Sequence, residues 1–281
     1  MIFKQLFDDN SSTYTYLIAS ANGREALIID PVEENVAEYI NLLEELNLKL
    51  VKVIDTHIHA DHVTGASRLK NNTNCTTIMG ENSPAETIDI KLKDGEIIKI
   101  DQLEIKALYT PGHTSDSYSF LMNNYLFSGD TLLINGTGRT DFQNGSSEDA
   151  YHSLFNKLLK LPEETLLYPG HDYNGKFSST IANEKSPSIK FKLLKNLINL
   201  STINNENSTA TEDIAVNYDG DEIEIGFNSK YLLDIASQIQ GSKIQFSLSD
   251  SSSPALFSII AGNSTISQSS TSSFFTIWLT I

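Results

Sequence analysis

The chain has 281 residues, 40% of them hydrophobic, which suits one ordinary core with a smaller appendage. Its formal net charge of −16 argues against a phosphate-backbone partner, because residues 1–200 carry 18 basic and 27 acidic side chains and residues 201–281 carry 2 and 9. No stretch approaches the apolar length that crosses a bilayer, so no membrane role is expected.

From Tyr14 to Ile29 the apolar pattern predicts two strands joined by the turn Ser20-Ala21-Asn22-Gly23. Val36, Tyr39, Ile40, Leu43 and Leu46 recur at helical spacing, and Leu50 to Asp55 is a short apolar strand that runs into Thr56-His57-Ile58-His59-Ala60-Asp61-His62. After a further helix and strand, Asp101 to Tyr109 is a strand ending in Thr110-Pro111-Gly112-His113. Tyr118–Met122 and Tyr125–Phe127 form a hairpin that empties into Ser128-Gly129-Asp130. Ser147 to Leu159 is an amphipathic helix, Leu166 to Tyr168 a strand leading to Pro169-Gly170-His171, and Ile189 to Leu200 a final helix. Residues 201–211, rich in Asn, Ser and Thr, read as a linker. Alternation of strands and helices with reactive side chains at strand ends is the layout of a layered α/β enzyme.

Five of the six histidines lie at these strand ends, with Asp61 and Asp130 beside them. Ligands two residues apart point the same way from an extended segment, so His57 and His59 converge on one ion while Asp61 and His62 turn toward a second position. The sixth histidine, His152, sits mid-helix and reads as a packing or surface residue. Cys75 is alone, so neither an internal disulfide nor a thiolate-rich metal site is available. With no basic-then-apolar leader at Met1–Gln5, this fits a reducing compartment and predicts a cytoplasmic protein.

The pattern H-x-H-x-D-H at 57–62, followed by His113, Asp130 and His171, resembles that of the metallo-β-lactamase superfamily over about residues 1–200. The resemblance implies an αββα sandwich with its metal at one edge between the sheets. Two glutathione-linked branches are similar to this chain. Glyoxalase II, a hydroxyacylglutathione hydrolase, cleaves a thioester at a dinuclear site, and it implies two Zn(2+). One ion would take His57, His59 and His113, the other Asp61, His62 and His171, with Asp130 between them. The persulfide dioxygenase (ethylmalonic encephalopathy protein) family uses one Fe(2+) per chain to oxidise glutathione persulfide with O2 to sulfite and glutathione. The segment Gly136-Thr137-Gly138-Arg139-Thr140-Asp141-Phe142-Gln143 is similar to that family's G-x-G-R-T-D-F-Q signature. The short stretch from His171 to Leu200 also lacks the helical domain of glyoxalase II, so the dioxygenase is favoured.

That resemblance implies His57, His113 and Asp130 as iron ligands and catalytic centre, a set that leaves adjacent coordination positions open. His59, Asp61, His62 and His171 then orient those ligands or hold a second metal. Arg139 and Tyr173 match positions near the glutathione pocket. Two departures stand out: the family's cysteine is Thr137 here, and its Asn-Pro-Arg-Leu is Ser186-Pro187-Ser188-Ile189, so a glutathione carboxylate loses a partner unless Lys185 or Lys190 replaces it.

Residues 216–234 and 249–256 resemble the last domain of the bacterial DNA polymerase III beta sliding clamp, which implies a partial α+β clamp-like segment over 212–281. It reads as strand, turn, strand, short helix and strand. A ring needs three such domains per chain and basic helices, so no clamp activity and no nucleic-acid partner are expected. An incomplete domain cannot easily bury its apolar face, so 212–281 is expected to be loosely ordered, docked on the enzyme, or paired with another copy as a homodimer. After the low-complexity run Ser264–Ser273, an exposed Phe274–Ile281 strand is expected to invite aggregation. Deletion of 205–281 is expected to spare catalysis.

Overall fold

The computed structural model describes residues 1–173, 175–185, 188–203, 209–218, 221–228, 243–248, 256–259 and 275–280. Two compact units divide the chain, Met1–Glu184 and Lys185–Ile281, so the boundary lies ahead of the residue 200 expected from composition.

In the first unit, period-two alternation builds two six-stranded sheets. The first joins β1 (Ile2–Asp8), β2 (Thr13–Ala19), β3 (Glu25–Ile29), β4 (Lys49–Ile54), β5 (Thr76–Gly80) and β6 (Ile90–Leu92) in chain order. It is antiparallel through β3 and parallel from β3 to β6, the first two parallel links passing through α1 (Val36–Glu45) and α2 (Ala66–Thr73) and the third through a loop. The second sheet contains β7 (Ile97–Ile100), β8 (Leu103–Tyr109), β9 (Tyr118–Met122), β10 (Tyr125–Gly129), β11 (Leu166–Pro169) and β12 (Ser179–Thr180), in the order β12-β11-β10-β9-β8-β7. Its one parallel pair is β10 with β11, reached through α3 (Ser147–His152) and the helical turns that carry it on to Lys160. Ser146 caps α3 by accepting from the Asp149 backbone N–H at 3.1 Å.

The faces of β2 show how the layers stack. Tyr14, Tyr16 and Ile18 pack with Leu27, Ile54, Phe120, Met122 and Phe127 between the sheets. Their neighbours Leu17 and Ala19 turn outward to Val36, Tyr39 and Leu43 of α1 and Leu69 of α2. On the far side, Leu126 and Leu167 meet Leu154, Leu158 and Ile181, the last from α4 (Ile181–Lys185). Helices therefore cover both outer faces, which is the αββα sandwich. Burying each such Leu, Ile or Phe side chain stabilises the fold by about 1.5–3 kcal/mol. Because both sheets are buried on two sides, their strand ends are free to carry polar residues at one rim.

The second unit corrects two expectations. Ile189–Leu200 is not a helix but a hairpin of β13 (Ser188–Leu194) and β14 (Leu197–Ile203), pairing Ile189 with Thr202 and Leu194 with Leu197. Lys195-Asn196 closes it, with Asn196 in the left-handed region at φ 59°. Phe191, Leu193 and Ile198 are buried, so the residues alternate at period two, although the apolar pairs Leu193-Leu194 and Leu197-Ile198 also fit helical spacing. The expected linker at 201–211 is likewise occupied at both ends by strand, β14 and β15 (Thr209–Asn217).

The terminal strand β19 (Phe275–Thr280) is no exposed edge. A seven-stranded sheet runs β16 (Ile223–Asn228), β13, β14, β15, β19, β17 (Lys243–Leu248), β18 (Leu256–Ile259), and β19 is paired to β15 on one side and β17 on the other. The short helix and the low-complexity run expected in this part lie outside the described residues. Among the described residues, no helix is long and apolar enough to cross a membrane.

Candidate metal centre

Four strands of the sandwich end at one rim. β4 leads into Asp55-Thr56-His57, the segment after β8 carries His113, β10 runs into Asp130, and β11 into Gly170-His171. Parallel pairing of β10 with β11 sets Asp130 and His171 side by side, and His171 Nε2 lies 3.4 Å from Asp130 Oδ2. His113 Nε2 is 3.5 Å and His57 Nε2 3.9 Å from the same oxygen. Ligand atoms of His57, His113 and Asp130 all lie within 4.8 Å of one another. A second such group joins His59, Asp61 and His62. His171 links the two, with its Nε2 3.6 Å from Asp61 Oδ2. Every histidine and aspartate singled out from the sequence for metal is thus in one cluster, while His152 is exposed and bonded to Asn156 at 2.9 Å.

The donor atoms fit a metal. Asp130 Oδ1, His59 Nδ1 and His62 Nε2 are buried with no hydrogen-bond partner, an arrangement that costs about 1–3 kcal/mol for each atom unless a ligand satisfies it. Spacings of 3.4–3.9 Å from imidazole N to carboxylate O are too long for good hydrogen bonds. They are close to the separation of about 3.4 Å between ligands that each bind one ion at about 2.1 Å in tetrahedral array.

Ring orientation is fixed from behind. Asp30, at the end of β3, accepts from the Thr56 N–H at 2.7 Å, the Thr56 hydroxyl at 3.0 Å and His59 Nε2 at 3.2 Å. The Thr56 hydroxyl lies 2.9 Å from His57 Nδ1. His113 Nδ1 donates to the Arg139 carbonyl at 2.8 Å and His171 Nδ1 to the Ser12 carbonyl at 2.9 Å, so both present Nε2 to the cluster. Asp30 and Thr56 were missed as functional residues in the sequence. The available signal was an aspartate at the end of β3, beside β4 in a parallel pair, just where β4 enters the histidine cluster.

Charge follows the same geometry. Burial and the neighbouring His59 push His57 down to about 3, so it is a neutral imidazole ready to bind metal. Burial also opposes protonation of His59 and His171, but Asp30 and Asp55 carry the first up to about 9 and Asp130 and Asp61 carry the second up to about 9. Against the cost of burial, His171, His57 and His113 hold the Asp130 carboxyl well below the usual range. Burial pushes Asp55 up to about 6, His59 working against it.

A cleft of about 440 Å³ opens on this cluster, lined by Asp61, His113, Asp130, His171, Arg139, Phe142 and Tyr173 among others. Arg139 is held by Asp141 through Nε at 2.7 Å and Nη2 at 3.0 Å, and its guanidinium lies 5.8 Å from the Phe142 ring centre. Tyr173 stacks on His171 with ring centres 6.0 Å apart, and is 73% exposed. Both residues expected near a substrate therefore line the opening. Phe142 of the signature segment and Leu133 join them.

Residues 8–171 match the family profile of the metallo-beta-lactamase superfamily. Persulfide dioxygenase ETHE1, mitochondrial, from Bos taurus is 39% identical over 189 residues, 66% of this chain and 74% of that protein. The crystal structure of ETHE1 from Myxococcus xanthus is 47% identical with a TM-score of 0.65, over 66% of this chain and 82% of that one. The chain belongs to the metallo-β-lactamase superfamily, in its persulfide dioxygenase family. The hydroxyacylglutathione hydrolases of the same superfamily are also similar: that of Dictyostelium discoideum is 36% identical over 188 residues, 62% of this chain and 69% of its own length. The second unit of this metallo-β-lactamase enzyme has a different affinity. Residues 176–269 match the profile of the DNA polymerase III beta subunit, C-terminal domain, so the clamp likeness starts well ahead of residue 212 and takes in the β13–β14 hairpin.

Proposed function

We propose that the protein is a glutathione persulfide dioxygenase, converting glutathione persulfide, O2 and water to glutathione, sulfite and protons at a single Fe(2+). The observation that carries this reading is the face of two imidazoles and one carboxylate, His57, His113 and Asp130, of which His113 and Asp130 line a cleft walled by Thr137, Gly138, Arg139, Phe142 and Gln143 of the signature. Two imidazoles and one carboxylate on one face suit a non-haem ferrous centre with open positions. Iron held there would supply the one-electron chemistry by which dioxygen reacts with a sulfur. The sulfane sulfur is oxidised by four electrons and both oxygen atoms of O2 are reduced.

The chain's own residues bind and orient. Arg139 offers the cleft a cation for a glutathione carboxylate, and Phe142 and Tyr173 flank the tripeptide body. Burial keeps His57 neutral and the imidazoles keep Asp130 ionised, so these two donors are in the protonation states that a metal requires. The second reading, thioester hydrolysis at two Zn(2+), is favoured by the unpartnered His59 Nδ1 and His62 Nε2 beside Asp61.

Anaerobic reconstitution with ferrous iron, followed by metal counting and an oxygen electrode, separates the two. One iron per chain with dioxygen uptake and sulfite formation on glutathione persulfide is the expected result. Two metals per chain with S-lactoylglutathione hydrolysis and no dioxygen uptake would sink the proposal.

A further inference from the structure

A second cavity, of about 340 Å³, also touches the metal cluster, lined there by His57, His59 and His62. It shares no lining residue with the cleft that holds Arg139, Phe142 and Tyr173. The cluster therefore borders two cavities, one along His113, Asp130 and His171 and another along His57, His59 and His62.

The second cavity has a particular chemistry. Val63, Ala66, Met79, Ala85 and Ile88 give it aliphatic and thioether walls. Several of its polar groups are already committed to one another. The Thr64 hydroxyl donates to Asp55 at 2.8 Å, Lys70 Nζ donates to Asp89 at 2.5 Å, and the Thr77 hydroxyl donates to the other Asp89 oxygen at 3.0 Å. A charged or strongly hydrogen-bonding ligand would have to break these pairs, at a cost that a nonpolar diatomic avoids. The substrate cleft instead presents the Arg139 guanidinium, braced by Asp141, and the rings of Phe142 and Tyr173, groups suited to a charged peptide rather than to a gas.

We propose that this cavity is the dioxygen entrance of the centre. The proposal rests on the dioxygenase reading and adds a route to it. A persulfide occupying the Arg139 cleft covers that approach, whereas an entrance with separate walls stays open to the gas when the larger substrate is bound first. Persulfide and dioxygen then meet at the ligands from different sides without competing for one mouth.

The test narrows the second cavity and measures each substrate separately. Ala85 is half-buried in the loop after β5 and Val63 is 59% exposed, so Ala85→Phe fills the cavity and Val63→Trp obstructs it without touching a metal donor. Each should raise KM for dioxygen about fivefold while KM for glutathione persulfide and iron content stay as in the unsubstituted enzyme. Phe142→Ala should do the reverse, raising KM for the persulfide and leaving that for dioxygen alone. Xenon, a nonpolar probe independent of turnover, should occupy the cavity in pressurised crystals of both metal-free and iron-loaded protein.

A dioxygen KM indifferent to both Ala85→Phe and Val63→Trp, or a cavity without xenon, overturns the entrance while leaving the dioxygenase reading in place. Absence of any dioxygen uptake by the unsubstituted, iron-loaded enzyme removes the dioxygenase reading and the entrance with it.

Discussion

Because a carboxylate only accepts hydrogen bonds, the Thr56 hydroxyl spends its proton on Asp30, and the 2.9 Å contact between Thr56 and His57 requires His57 Nδ1 to be the donor. His57 then faces Asp130 with a bare Nε2. The same Asp30 accepts from His59 Nε2, which leaves Nδ1 as the nitrogen for the cluster. One buried carboxylate thus selects opposite tautomers in two histidines. Thr56→Val keeps the shape of the side chain and removes the hydroxyl, so ferrous affinity measured by competition with a chelator should fall roughly 10–100-fold, and Thr56→Ser should restore it. Equal affinity in all three proteins would dismiss this role. Protonation makes a separate prediction for the metal-free protein. His59 and His171, raised to about 9, stabilise the fold fully below 6.5 and lose that contribution as pH rises through 9. His57, lowered to about 3, withholds a proton that the unfolded chain binds, so stability falls as pH drops from 6.5 toward 3. Asp55, raised to about 6, binds a proton in the fold before the unfolded chain does and offsets the His57 loss below pH 6. The melting temperature without metal should therefore fall on the alkaline side of pH 6.5 and change little just below it, and Asp130→Asn should flatten the alkaline limb by removing the carboxylate that raises His171.

The signature loop after β10 works as a bracket between substrate and metal. The Gly138 N–H donates to the Asp130 carbonyl at 2.8 Å, and the next carbonyl, that of Arg139, fixes His113. A Cβ on residue 138 would sit 2.4 Å from the Asp130 carbonyl oxygen and 2.7 Å from His113 Nδ1, so no side chain fits. A Cβ on residue 170 would likewise lie 2.4 Å from Asp130 Oδ1. Gly138→Ala should therefore weaken metal binding at least about tenfold with the far-ultraviolet dichroism unchanged, and a variant that loads iron normally would count against the bracket. These contacts also show what a sequence can carry. Strand ends and the identity of the donors were legible, because β4, β8, β10 and β11 are apolar runs that stop at His or Asp. Asp30 and Gly170 were not, because their importance comes from register between strands distant in sequence. The Ile189–Leu200 stretch misled for a local reason. Adjacent apolar pairs, Leu193-Leu194 and Leu197-Ile198, satisfy helical spacing, while the Lys195-Asn196 turn that makes them cross-strand neighbours lacks the glycine that usually marks it.

At the scale of the molecule, the β13–β14 hairpin cannot be assigned to the enzyme merely because it follows it closely. Its hydrogen bonds run to β15 and β16, and Phe191, Leu193 and Ile198 are buried. The match to the clamp domain begins at 176, again placing the hairpin there. The first unit, by contrast, contains every donor of the metal cluster and the whole sandwich core. Where the chain is cut should therefore matter more than how much is removed. A protein ending at Lys185 should bind iron with unchanged stoichiometry, unfold in one cooperative step and keep its turnover per iron. Removal of 205–281 alone, by leaving β13 and β14 without β15 and β16, should expose apolar side chains on an unpaired two-stranded ribbon and promote aggregation. Size-exclusion chromatography of the two truncated proteins, with iron counted in each peak, decides the matter. If the shorter protein is the one that aggregates or loses metal, the second unit is required for the integrity of the first.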